Sequence, residues 1–150
     1  MSQGPALAAT TFHPWVWKPA RAHWESGNHG AAVWAAAINV NTQLQHKVDR
    51  VDIGEHKLVA EAFGTAAPEP GCARLRLCDH SNPNLFKDRH VGAIGLGQGL
   101  FMGVRNPLNH IGPADMSERE ALETLAAWSL FARWVDRATV EPGPGKAPDS

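Results

Sequence analysis

Residues Ser117 to Arg137, SEREALETLAAWSLFARWVDR, decide the fold class. Ser117 followed by Glu120 is a capping box: the serine side chain is placed to accept the Glu120 N–H, and Glu120 to reach back. Ala121, Leu125, Trp128, Ala132 and Val135 then recur at helical spacing and form one apolar stripe. Arg119, Glu123, Arg133 and Arg137 fall on the other side. The stretch predicts an amphipathic helix over about 118–138, and a helix with one apolar face must bury it against other elements.

Working outward, the same periodicity returns upstream. Asn28 is a good N-cap residue. After it Val33, Ala37, Val40, Leu44 and Val48 make a second stripe, with small or amide residues at Ala31, Ala35, Asn39, Asn41, Gln43 and Gln45. A shorter helix is expected over about 14–25, with Pro14 near its first turn and Pro19 as a possible kink. Glu55 to Phe63 suits a short helix. Between about 64 and 84 the pattern is irregular: Pro68 and Pro70 mark a loop, and Ala73 to Leu77 alternates as a short strand or an extended arm. Ser81 to Asn84 reads as a turn or a helix start, and Leu85 to Val104 as a glycine-rich helix. The expectation is all-α: an up-and-down bundle of four to five helices over residues 12–140 with an irregular insertion around 64–84. A loose N-terminal tail (1–11) and a Pro/Gly-rich, disordered C-terminal tail (141–150) flank it. Six tryptophans lie in the first and last thirds, which predicts that those segments pack together.

The bulk numbers bound the function. The chain has 150 residues, one domain's worth, and a formal net charge of -1, so no global basic field draws in nucleic acid. No apolar run is long enough for a membrane span, and the first residues do not read as a signal peptide. Two cysteines, Cys72 and Cys78, make no disulfide framework, which points to a reducing cytoplasm. Cys72, Cys78 and His80 do not match a familiar zinc spacing, so no metal and no other cofactor is expected. Gly95-Leu96-Gly97-Gln98-Gly99 lacks the preceding strand and βαβ unit of a dinucleotide site. The recurrence of Gly95, Gly99 and Gly103 instead leaves a bare groove on one helix face, suited to close helix contact within the chain or at a dimer interface.

The stretch most suited to chemistry is Arg105-Asn106-Pro107-Leu108-Asn109-His110. Arginine offers a planar fork of donors to a phosphate, and histidine exchanges protons near neutrality. Together they are a minimal kit for cutting a phosphodiester. Pro107 disfavours helical geometry at Asn106, so a break near 104 is expected, with Asn106 capping a new turn and both side chains turned to one pocket. The alternative is a helix-end cation and a polar loop histidine. Arg74, Arg76, Lys87 and Arg89 either guide an RNA backbone or form a solvated face.

A helical domain in which Arg105, Asn106 and His110 precede the last helix resembles the HEPN superfamily, whose signature is Arg-x(4 to 6)-His. Phe12-His13-Pro14, Asn28 to Val33 and Phe101 to His110 extend the resemblance over about residues 12–138. It is similar to bacterial abortive-infection and phage-defence proteins. The resemblance implies a metal-independent endoribonuclease acting as a homodimer on RNA such as tRNA or mRNA, leaving a 2′,3′-cyclic phosphate, with a possible antitoxin or defence-system partner. One His110 cannot be both base and acid, so a two-fold axis would supply the second. Asn106 would orient His110 or the phosphate. The alternative is a domain of that fold without activity, serving dimerisation, partner binding or nucleotide sensing.

Overall fold

The structure, a computed structural model, describes residues 4–112 and 116–145. It is mostly helical: α1 (Pro14–Glu25), α2 (His29–Val48), α3 (Glu55–Ala62), α4 (Pro83–Leu100), α5 (Asn106–Ile111) and α6 (Glu118–Arg137). A π-helical segment, Phe101–Arg105, joins α4 to α5 without a break, so the described residues form five helical rods. The all-α bundle is as the sequence predicts. The expected tails fall partly outside the described residues. Of the parts that are described, Ala9–Thr11 makes a 3-10 turn, and Glu141 ends a short strand, β2 (Thr139–Glu141), that begins within the expected bundle.

The two stripes read from the sequence form the core. Val33, Ala37, Val40, Leu44 and Val48 of α2 are buried, as are Ala121, Leu125, Trp128, Ala132 and Val135 of α6. Burying a side chain as large as Leu125 stabilises the fold by roughly 1.5–3 kcal/mol. α1 packs on α2 and α6, which brings the tryptophan-rich first and last thirds together. Phe101 closes the core, edge-on to Trp128 with ring centroids 4.9 Å apart.

The helix ends follow from local chemistry. Ser117 Oγ accepts the Glu120 N–H at 3.1 Å, half of the expected capping box. Asn82 caps α4 through Leu85 N–H at 3.1 Å. Asn28 holds the N-cap position of α2 without a side-chain cap bond. α2 ends on Asp49 in the left-handed region (φ 53), where Arg50 N–H reaches back to Gln45 C=O, a Schellman ending. Pro19 does not terminate α1. It withholds the N–H that Trp15 C=O would accept, and Asn39 Nδ2 of α2 supplies a replacement at 2.9 Å.

The insertion is tied down by strand β1 (Arg74–Arg76), which pairs antiparallel with β2, Leu75 opposite Val140. His90 of α4 fastens it from the other side. Its buried Nε2 accepts the Leu77 N–H at 3.1 Å, and its Nδ1 lies 2.6 Å from Phe86 C=O, to which it donates.

Candidate functional site around Arg105

Pro107 does not break the helix. Asn106 is helical (φ -65, ψ -45), and its N–H donates to Phe101 C=O five residues back. Widening the turn from i−4 to i−5 bonding lets a ring without an N–H enter a continuous helix. The expected break near 104 is therefore a π-turn. On a continuous helix, side chains five apart point roughly 140° away from each other. The convergence of Arg105 and His110 on one pocket of a single chain does not follow from this backbone.

The π-turn aims Arg105 at the start of α3. Its guanidinium meets Glu55 Oε1 at 2.9 Å, with both side chains about three-quarters buried (23% and 26% exposed). Glu55 is itself unusual. Its φ is +59, a region that costs a non-glycine residue of order 1 kcal/mol and persists only where neighbours enforce it. The enforcement comes from α2: Asn41 Oδ1 accepts the Glu55 N–H at 2.6 Å, and Gln45 Nε2 donates to Ile53 C=O at 2.9 Å. Gly54 makes that approach possible, because a Cβ there would lie 2.9 Å from Asn41 Oδ1. Beside Glu55, Gln98 Nε2 donates to His56 C=O at 3.1 Å, and His56 Nδ1 is buried without a hydrogen-bond partner. A strained acid, an unsatisfied imidazole nitrogen and a half-buried arginine thus share one corner of the bundle.

The other predicted site residues are placed as follows. Asn106 is half-buried and His110 exposed. α5 is anchored by buried Leu108 and by Asn109, whose Oδ1 accepts the Trp34 indole N–H at 3.0 Å. Arg76 is spent on the protein itself: it pairs with Glu141 at 2.5 Å, donates to Gly64 and Ala66 carbonyls and lies over the Phe86 ring. Arg74 donates to Glu61 C=O. The Arg76 guanidinium is thereby taken up by the insertion's own carbonyls and Glu141, whereas Arg74 ties the insertion to α3 through one bond and leaves its buried Nε without a partner. Lys87 and Arg89 stand exposed on α4. Gly95, Gly99 and Gly103 would each meet nothing within 4 Å with an added Cβ, so among the described residues no element seats on that face. Gly97 is the glycine that packs, with Phe131 2.6 Å from where its Cβ would lie.

Glu55, His56, Asn41, Gln45 and Gln98 were not expected in a site. The signal for two of them is in the sequence: Asn41 and Gln45 are amides four apart on one face of α2. Among the described residues no group of three His, Cys, Asp or Glu is arranged to hold a metal ion. Cys72 and Cys78 are free thiols, half-buried, and Arg50 donates to Cys72 Sγ at 3.4 Å.

Fold and site together define a small helical-bundle protein with an ion-paired arginine on a π-turn. The chain belongs to the family described as Protein of unknown function (Hypoth_ymh), which matches residues 10–135. That membership replaces the resemblance to the HEPN superfamily, since the family spanning nearly the whole bundle is an uncharacterised one and nothing ties the chain to that superfamily. No curated protein and no solved structure matches the chain.

Proposed function

We propose that this protein cleaves an RNA phosphodiester at the Arg105 end of the bundle. The observation that supports it is the Arg105–Glu55 pair at 2.9 Å, a guanidinium held in a fixed, half-buried position from which a phosphate can compete for it. His110 is exposed on the following turn and carries the proton transfers. In this reading the ribose 2′-OH attacks the adjacent phosphorus, the 5′ oxygen leaves with a proton, and a 2′,3′-cyclic phosphate remains. Asn106, between the two on the helix, orients the imidazole or a phosphate oxygen. The divergence of Arg105 and His110 along one helix is what makes a second copy useful: the imidazole of one chain meets the arginine of the other. The reaction belongs in the cytoplasm, and no helix of the described residues is long and apolar enough to cross a membrane.

The test is incubation of purified protein with tRNA and with mRNA in EDTA, followed by mapping of the ends. Wild type is expected to leave 2′,3′-cyclic termini. His110→Ala and Arg105→Ala are expected to lose at least 100-fold in rate while keeping their helical circular dichroism. Equal products from wild type and His110→Ala would sink the proposal. A second reading, a non-catalytic helical partner, is favoured by the uncovered α4 face. There Val91 (51% exposed) and Met102 (53%) flank the open glycines. It gains if no RNA is cut.

A further inference from the structure

A second site lies away from Arg105, where the first half of α4 meets the end of α6. A cavity of 330 Å³ opens there, lined by Leu77, Asp88, Arg89, Gly92, Trp134 and Arg137. The volume is at the lower end of the range for small-molecule sites. Its chemistry has three parts. Trp134 presents a half-buried indole, a platform on which a base can stack. Arg89 and Arg137 come from different helices to one mouth, are exposed, and make no side-chain hydrogen bond or ion pair among the described residues. This sets them apart from Arg50, Arg76 and Arg105, each of which faces a carboxylate. Asp88 is an acceptor suited to ribose hydroxyls, and Gly92 leaves the wall open, since a Cβ there would meet nothing within 4 Å.

We propose that this cavity binds a nucleotide unit, with the base on Trp134, the phosphate on Arg89 and Arg137, and the ribose toward Asp88. The shared chemistry, an aromatic base joined to a phosphate, comes either as a free mononucleotide or as one residue of a single-stranded RNA. A second opening of 540 Å³ shares Leu77 and Arg137 with the first and continues past Cys78, His80 and Thr139. It gives a longer strand a path along the insertion. The site stands apart from the cleavage reading: its lining shares no residue with the Arg105 cluster, and among the described residues no hydrogen bond or ion pair joins the two.

Isothermal titration of the full chain tests it, with AMP, adenosine, inorganic phosphate and a ten-nucleotide single-stranded RNA as probes. AMP or the RNA is expected to bind at least tenfold more tightly than adenosine or phosphate alone. Tighter AMP assigns the site to a free nucleotide, and tighter RNA assigns it to a strand. Arg89→Ala and Arg137→Ala are each expected to weaken that binding at least tenfold. Trp134 also packs against the core, so its replacement risks the fold, and Gly92→Leu is the cleaner variant. It places an isobutyl group in the cavity from an exposed helical position and is expected to abolish binding with circular dichroism unchanged. His110→Ala is expected to bind as wild type does. Absence of binding by both AMP and RNA, or wild-type binding by Gly92→Leu, overturns the proposal.

Discussion

Gly97 and Gly99 stand two positions apart on α4 and meet opposite surroundings. At Gly97 an added methyl would collide with the Phe131 ring at 2.6 Å and Val59 at 2.8 Å, both in the core. Gly97→Ala is therefore expected to lose about 1–3 kcal/mol in a urea titration, through overpacking. Gly99→Ala meets open space and is expected to gain about 0.5–1 kcal/mol from helix propensity alone. His90 contributes at the same scale. Burial holds its pKa below the ordinary 6.5, and the nearby Arg76 charge acts in the same direction. The unfolded chain then takes up the proton first as pH falls. The stability this confers is present above about pH 6.5 and lost as pH drops from there through the lower pKa of the folded state. The urea midpoint is expected to fall as pH drops below about 6.5, and His90→Gln to flatten that fall. Asp52 works further down the scale. Arg50 beside it holds its carboxyl at about 2 against an ordinary 3.8, so its share is present above about pH 3.8 and lost as pH drops toward 2.

Helices with one clean stripe were legible, since α2 and α6 need only periodicity to be found and every residue the stripes name is buried, although Ala32, Ala36, Ser129 and Phe131 beside them are buried as well. The junction of α4 and α5 was not. Propensity places a break at the residue before proline, whereas the packing of Phe101 and Leu108 on either side holds the rod continuous and the backbone yields by one widened turn. The site was half legible for a related reason. Arg105 is conspicuous by its neighbours in sequence, but its partner Glu55 lies 50 positions away and is fixed by a positive φ that no side-chain pattern announces. Strand β1 is one of the two forms its alternation allows, and its partner β2 straddles the expected boundary at 140, with Glu141 alone in the expected tail. At Pro19 the accommodation is testable. Asn39→Ala should orphan the Trp15 carbonyl and cost about 1–3 kcal/mol. Adding Pro19→Ala restores the backbone donor, so the double variant is expected to recover most of that loss, with the thermal midpoints of the four proteins closing the cycle.

At the scale of the whole molecule, the outward face of α4 sets the expected assembly. If a second copy supplies the missing half of the Arg105 site, light scattering should give twice the chain mass for wild type. Gly99→Leu should then return it to one chain and lower RNA cleavage in parallel, without loss of helix. A chain mass that stays single in wild type, with cleavage intact, would remove the need for a partner copy. The clasp between β1 and β2 carries a further consequence, for the order of events. Arg76 and Glu141 meet across 65 positions of chain, so their pairing earns nothing until the helices between them have assembled. Only three residue pairs form the clasp, with Val140 exposed opposite buried Leu75, so it is expected to open before the longer helices do. In native-state hydrogen exchange the amides of Leu75 and Val140 should therefore exchange well before those of Leu44 or Leu125. The wall of the cleft that ends in Thr139 would come and go on that faster clock while the bundle beneath it stays closed.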